Sequence, residues 1–152
     1  VGAAERADQL ATGFEERLAR IASTPRPQPK PKVYFEEWDD PLISGIGWVS
    51  ELIEIAGGAD ALPTLRFQQA AKDRIIAPET VRDAAPDVIL ASWCGKKVVP
   101  DRIRHRPGWN DIPAVRDDRI VEIKSTIILQ PGPAALTDGL DAIVTALWPP
   151  LL

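Results

Sequence analysis

One cysteine, one histidine and one tyrosine occur among 152 residues. A single cysteine excludes an internal disulfide and leaves the redox compartment unread. One cysteine and one histidine cannot build a tetrahedral zinc site without distant carboxylates. No apolar run approaches the roughly 18–20 residues that span a bilayer, and no secretory signal peptide is read at the start of the chain. With a net charge of −4 and a pI near 5.0, the chain lacks the basic stripe of a nucleic-acid surface. Neither a Walker-type lysine pattern nor a glycine-rich dinucleotide fingerprint is present, so nucleotide binding has no support. What is plentiful is proline, 15 residues, and tryptophan, five against three phenylalanines. Tryptophan offers a large flat surface with one donor, suited to packing or to stacking on a ligand. The apolar share of 45% and charged share of 26% are those of a globular protein, and the length suits one domain with a real core.

Residues 3–22 predict a long amphipathic helix, because Ala3, Ala7, Leu10, Phe14, Leu18 and Ile21 recur at spacings of three and four. At about 1.5 Å per residue it would reach about 30 Å, long for an element at a chain start and suggesting that it leans on more than a small core. Pro25, Pro27, Pro29 and Pro31 then alternate in an extended, semi-rigid stretch. Strands follow at 32–37, 87–91 and 119–123, the second nearly all apolar, as in a strand buried on both faces. Helices are expected at 45–56, stopped by Gly57-Gly58, at 79–84 after Pro78, near 100–105, and at 133–147. Residues 59–76 read as irregular, and 112–115 as a brief strand or an approach to one. Strands alternating with helices define the fold class as α/β, a parallel sheet flanked by helices.

Each of the three strands ends in similar chemistry. The first leads into Trp38-Asp39-Asp40, the second into Ser92-Trp93-Cys94-Gly95-Lys96-Lys97, and the third into Lys124-Ser125-Thr126. In a parallel sheet these tails share one edge, and open α/β sheets bind ligands outside the carboxyl ends of their strands. Trp38 and Trp93 are then an aromatic wall for a bulky ligand or rim packing against a loop. Trp48 reads as core, Trp109 as a loop residue that could face either way, and Trp148 as a cap on the last helix. Lys96 and Lys97 are either solvated or aimed at an anionic group, solvation being the default. Cys94 would need a nearby base or helix N-terminus to act as a nucleophile, and no spacing brings His105 to it, so an inert buried thiol is the simpler reading. Glu36, Glu37, Asp39 and Asp40 surround Trp38 and could suit a hard cation. Alternation along a strand sends Glu36 and Glu37 to opposite faces, which opposes metal binding and paired acid–base work alike. Glu79, in the first turn after Pro78, complements the helix dipole or serves as a docking contact for a basic partner. Backbone amides after Gln130-Pro131-Gly132-Pro133 could hold an anion.

Several segments together resemble a known family. They are Pro31-Lys-Val-Tyr-Phe-Glu-Glu-Trp38, Gly47-Trp-Val-Ser-Glu-Leu-Ile-Glu-Ile-Ala-Gly-Gly58, Ala77-Pro-Glu-Thr-Val-Arg-Asp-Ala-Ala-Pro-Asp-Val-Ile-Leu90, Ser92-Trp-Cys-Gly-Lys-Lys97, and Glu122-Ile-Lys-Ser-Thr-Ile-Ile-Leu-Gln-Pro-Gly-Pro-Ala-Ala-Leu136. The set resembles the C-terminal lobe of class III substrate-binding proteins of ABC importers, which carry cobalamin and ferric siderophores; the last two segments are closest to a cobalamin-binding subgroup. The resemblance implies two α/β lobes joined by a long helix, here residues 1–24, with 25–152 as the C-terminal lobe and the N-terminal lobe absent. It implies capture of cobalamin or a related corrinoid, or of a ferric siderophore or haem, and delivery to a permease, with no covalent chemistry, no catalytic residue and no resident cofactor. Trp38, Asp39, Trp93, Lys96, Lys124, Ser125 and Gln130 would line the cleft, and Glu79 would dock to the permease. A periplasmic or cell-surface location is implied. A homodimer through helix 3–22 is a further expectation, since that helix would have lost its partner lobe. An independent enzyme or interaction domain using Cys94 stands as the alternative class.

Overall fold

The structure, a computed structural model, describes residues 2–150; the outermost residues of the two expected domain ranges lie outside them. Helix α1, Ala3–Ala22, carries Glu5 in its first turn and Arg20 in its last, both suited to the helix dipole. None of its residues is buried. Leu18 and Ile21 pack against the core, Arg17 pairs with Asp141 at 2.5 Å, and Leu10 stays 60% exposed. Ser23 and Thr24 close the helix by donating their hydroxyls to the Arg20 carbonyl.

Strand β1, Lys32–Asp39, is the centre of the sheet. A tight turn at Asp40-Pro41 returns the chain as β2, Leu42–Ser44, antiparallel to β1. Helix α2, Gly47–Ile55, leads to β3, Ala59–Asp60, parallel to the start of β1. Two 3₁₀ turns, Pro63–Phe67 and Ala71–Arg74, precede helix α3, Pro78–Ala84, which starts on proline and ends at Ala85 in the left-handed region. Strand β4, Val88–Ala91, lies parallel to β1, with Val33 opposite Val88 and Glu36 opposite Ala91. Helices α4, Pro100–Arg104, and α5, Pro113–Arg116, follow. Strand β5, Ile120–Glu122, pairs parallel to β4. The order is β2-β1-β4-β5, with β3 also on β1. Helix α6, Ser125–Ile128, then leads to a π turn, Ala135–Gly139, that runs directly into α7, Leu140–Leu147.

This is the expected α/β class, with corrections in detail. The sheet is predominantly rather than wholly parallel, because β2 turns back within a few residues, too short a run to show periodicity. Residues 59–76 hold a strand and two 3₁₀ turns. The strand expected at 112–115 is helix α5: Pro113 at its first position presets φ and needs no donor, and Val115 and Arg116 both donate to the Ile112 carbonyl.

Alternation divides the sheet into two cores. Val33 and Phe35 join Leu52, Ile53, Val88 and Leu90 on the α2/α7 face. Tyr34 opposes them with Ile89, Trp93, Ile103 and Trp109. Each fully buried aliphatic side chain contributes roughly 1.5–3 kcal/mol. Trp48 is half-buried, its indole N–H donating to the Ile128 carbonyl at 3.0 Å. Trp148 caps α7 and donates to the end of α2 at Ala56, 2.8 Å. Trp109 faces inward, edge-on to Tyr34 at 6.4 Å between centroids. Gly139 lets the last helix press on α6: a Cβ there would lie 2.5 Å from the Ile127 carbonyl oxygen. That contact sets the loop carrying Ser125 and Gln130.

Candidate functional site

Because β1, β4 and β5 run parallel, their tails lie along one sheet edge. At its centre the Lys96 ammonium sits 4.2 Å from the Trp38 ring centroid and 5.0 Å from that of Trp93. It also meets Asp39 Oδ1 at 2.5 Å. Arg102, on α4, approaches the other Asp39 oxygen at 2.9 Å and lies 5.4 Å from the Trp93 ring. Asp39 is thus a buried carboxylate shared by two cations. Burial alone would push its carboxyl up; the Lys96 hydrogen bond and the charges of Lys96 and Arg102 outweigh burial and hold it below the usual carboxylate range. Trp38 is half-buried, and its indole N–H donates to the Asp40 carbonyl at 2.9 Å.

Beneath this cluster Glu36 is fully buried. It accepts the Trp93 indole N–H at 2.9 Å and both arms of the Arg106 fork at 2.5 and 2.9 Å. Arg106 stacks on Trp109 at 4.6 Å. Burial, with the Glu36 charge added, raises the Tyr34 phenol well above its ordinary value, so it stays neutral. Glu37 points the other way, as alternation requires, and meets Arg74 at 2.7 Å. Among the described residues no group of three or more His, Cys, Asp or Glu side chains converges as a metal site.

The expected site residues therefore divide. Trp38, Asp39, Trp93 and Lys96 form one cluster. Within it Trp93 is only 1% exposed, so its indole is the floor of the cluster and presents no open face. Lys124 and Gln130 are exposed and Ser125 half-buried, on the turn around α6; no hydrogen bond or ion pair joins them to Trp38 or Lys96 among the described residues. The β4 tail is pinned to β5 where Glu122 accepts the Val98 N–H at 3.0 Å. Glu79 is exposed on α3 and forms no ion pair among the described residues. It shares a depression of about 550 Å³ with Asp39, Asp40 and Arg106. A second, apolar groove of about 480 Å³ lies between α1 and α2, lined by Phe14, Leu18, Trp48, Leu52 and Leu136. Cys94 is exposed rather than buried, and it makes no hydrogen bond among the described residues. Sequence reasoning placed Glu36 beside Trp38 but not as the partner of Trp93, and it missed Arg102 and Arg106. The signal for the two arginines was their spacing of four residues just after the β4 tail, Arg102 on α4 and Arg106 in the loop beyond it.

The aromatic and charged groups thus gather at the strand carboxyl ends of a mostly parallel sheet, the edge at which open α/β sheets take ligands. The chain belongs to the periplasmic binding protein family, whose sequence profile matches residues 1–127. It is similar to the ABC transporter substrate-binding lipoprotein YvrC of Bacillus subtilis, 24% identical over 97% of this chain and 46% of that protein. Among solved structures, a periplasmic solute-binding protein of Staphylococcus epidermidis superposes with a TM-score of 0.78 at 18% identity, over 95% of this chain and 55% of that one. The periplasmic haem-binding protein RhuT of Roseiflexus gives 0.71 at 28%, over 95% and 57%. The vitamin B12-binding protein BtuF of Vibrio cholerae gives 0.66 at 17%, over 94% and 52%. The chain spans about half the length of these relatives. Among the described residues no helix is long and apolar enough to cross a membrane.

Proposed function

We propose that this chain is the C-terminal lobe of an extracytoplasmic substrate-binding protein of an ABC importer, that it holds a tetrapyrrole-type metal chelate against the carboxyl edge of its sheet, and that it delivers the chelate without covalent chemistry. The observation that carries this reading is the convergence of Trp38, Asp39 and Lys96 at the edge where parallel sheets take ligands, in a chain of the binding-protein family. Trp38 supplies the flat surface, Lys96 and Lys124 the charge, and Ser125 and Gln130 polar groups for the ligand's arms. Trp93 supports them from below. A cobalt corrinoid is the first candidate, from the segments 92–97 and 122–136. Haem is the second, supported by the 28% identity to a haem-binding protein. Glu79, exposed and unpaired among the described residues, is the contact for an arginine or lysine of the permease. Helix α1 and the apolar groove beside it are the surface against which the other lobe would rest.

Calorimetric titration of cyanocobalamin and of haem into this chain, and into a form extended upstream to the relatives' length, tests the reading. Binding of one tetrapyrrole, tighter in the extended form, is the expected result. Binding of neither by either form moves the ligand to a siderophore or refutes the site. Sedimentation of this chain separates the two occupants of α1: a concentration-dependent dimer would mean that a second copy covers the helix.

A further inference from the structure

We infer that Lys96 is a displaceable cap on Trp38, so that the ligand this edge selects carries a carboxylate arm beside its flat face. The inference rests on the reading of the carboxyl edge as the ligand site.

Two features make Lys96 the movable member of its cluster. Its ammonium lies over the Trp38 ring, 4.2 Å from the centroid, and covers that face of the indole. No ring can stack there until the ammonium moves. Its partner Asp39 is buried, and Arg102 stands 2.9 Å from the other oxygen of the same carboxylate. When Lys96 leaves, Asp39 keeps a counter-ion, so the departure does not strand a buried charge. Two cations sharing one carboxylate leave one positive charge in surplus. Lys97 and Lys124 are exposed on the same edge and carry no ion pair among the described residues. With the exposed carboxylates Asp40 and Glu122 counted against them, the edge keeps a small positive surplus in a chain of net charge −4, which favours anionic over neutral ligands at this place.

The arrangement selects by chemistry. A carboxylate arm can take the Lys96 ammonium from Asp39 and draw it off the ring, exchanging one charge-assisted hydrogen bond for another. The uncovered Trp38 face then receives the planar part of the same ligand. A neutral arm, whether ester or amide, has no comparable claim on the ammonium and leaves the cap in place, so on this inference haem, with its carboxylate arms, takes precedence over a corrinoid whose arms are amides.

The test compares iron(III) protoporphyrin with its dimethyl ester, which has the same ring and uncharged arms. Each is titrated into the wild-type chain, Lys96→Gln, and Lys30→Gln, a lysine at the opposite end of the sheet. Wild type and Lys30→Gln should bind the free acid about tenfold more tightly than the ester, the worth of one charge-assisted contact. Lys96→Gln should reduce the preference to about twofold or less. In the ligand-free chain, acrylamide should quench Lys96→Gln fluorescence more steeply than wild type, because Trp38 has lost its cover. An ester that binds as tightly as the acid, or an acid preference that survives Lys96→Gln, overturns the inference while leaving the tetrapyrrole site standing. Equal quenching overturns the cap. Binding of neither porphyrin removes the haem reading and this inference with it, while the corrinoid reading stands or falls on the cyanocobalamin titration.

Discussion

Trp93 and Glu36 meet across the β1–β4 pair, the indole N–H donating 2.9 Å to the Glu36 carboxylate, with both side chains essentially excluded from solvent. Glu36 thereby joins three elements: its own strand, the β4 tail, and the loop carrying Arg106. Replacing it by alanine leaves the Arg106 guanidinium and the indole donor without a partner. Breaking a buried pair from one side costs about 3–5 kcal/mol. Urea denaturation of Glu36→Ala should show a loss of that order, and Glu36→Gln, which keeps an acceptor for Trp93, a smaller one.

Acid sensitivity should trace in part to Asp39. Its folded carboxyl titrates below the ordinary value because two cations hold it ionised. The stabilisation is present above the unfolded pKa, about 3.9, and is lost as pH falls through the lower folded value. Asp39→Asn should flatten the acid limb of stability against pH below about pH 4–5 and leave its shape at neutral pH unchanged. A thermal-melt series from pH 7 downward reads this; an unchanged acid limb would refute it.

Glu79 stands clear of every ion pair among the described residues, so its removal should not touch the fold. Glu79→Ala should change stability by no more than about 0.5 kcal/mol and leave ligand affinity as it is. Import by a reconstituted transporter should fall. An affinity loss would refute the proposed docking role of Glu79.

Leu90 lies at the middle of β4, fully buried between β1 and β5. Leu90→Ala should cost about 2–5 kcal/mol through lost burial and the cavity left behind, seen as a lower urea midpoint with an unchanged slope.

At Gly139 a methyl group would lie 2.5 Å from the Ile127 carbonyl oxygen. Gly139→Ala should cost about 1–3 kcal/mol, as overpacking does, and loosen the turn holding Ser125 and Gln130. Faster amide exchange at 125–130 in the variant is the expected signature.

Much of this architecture is legible in the sequence. The three-four spacing of Leu10, Phe14 and Leu18 marks α1, and the apolar run Val88-Ile89-Leu90-Ala91 marks a strand covered on both faces. Periodicity is a local property, and long periodic segments declare themselves. Three of the brief elements, with neither a period nor an unbroken apolar run, did not. Leu42–Ser44, Ala59–Asp60 and Ser125–Ile128 are each no longer than four residues, too few to repeat a pattern. Ile112–Val115 reads as a brief strand or an approach to one, and Pro113 decides for a helical turn.

For the site, the chain alone determined that Trp38, Ser92–Lys97 and Lys124 share one edge, because the strand tails inherit the direction of parallel strands. It also determined that Glu36 and Glu37 part company, because side chains alternate along β1. Tertiary structure decided the rest. Arg102 and Arg106 reach Asp39 and Glu36 from more than sixty residues away in the chain, and Trp93 turns inward because a buried carboxylate there accepts its indole hydrogen. Which cation meets which carboxylate, and which ring is left to face a ligand, depends on three-dimensional distance and burial. Sequence spacing encodes direction and period, but it does not encode those distances.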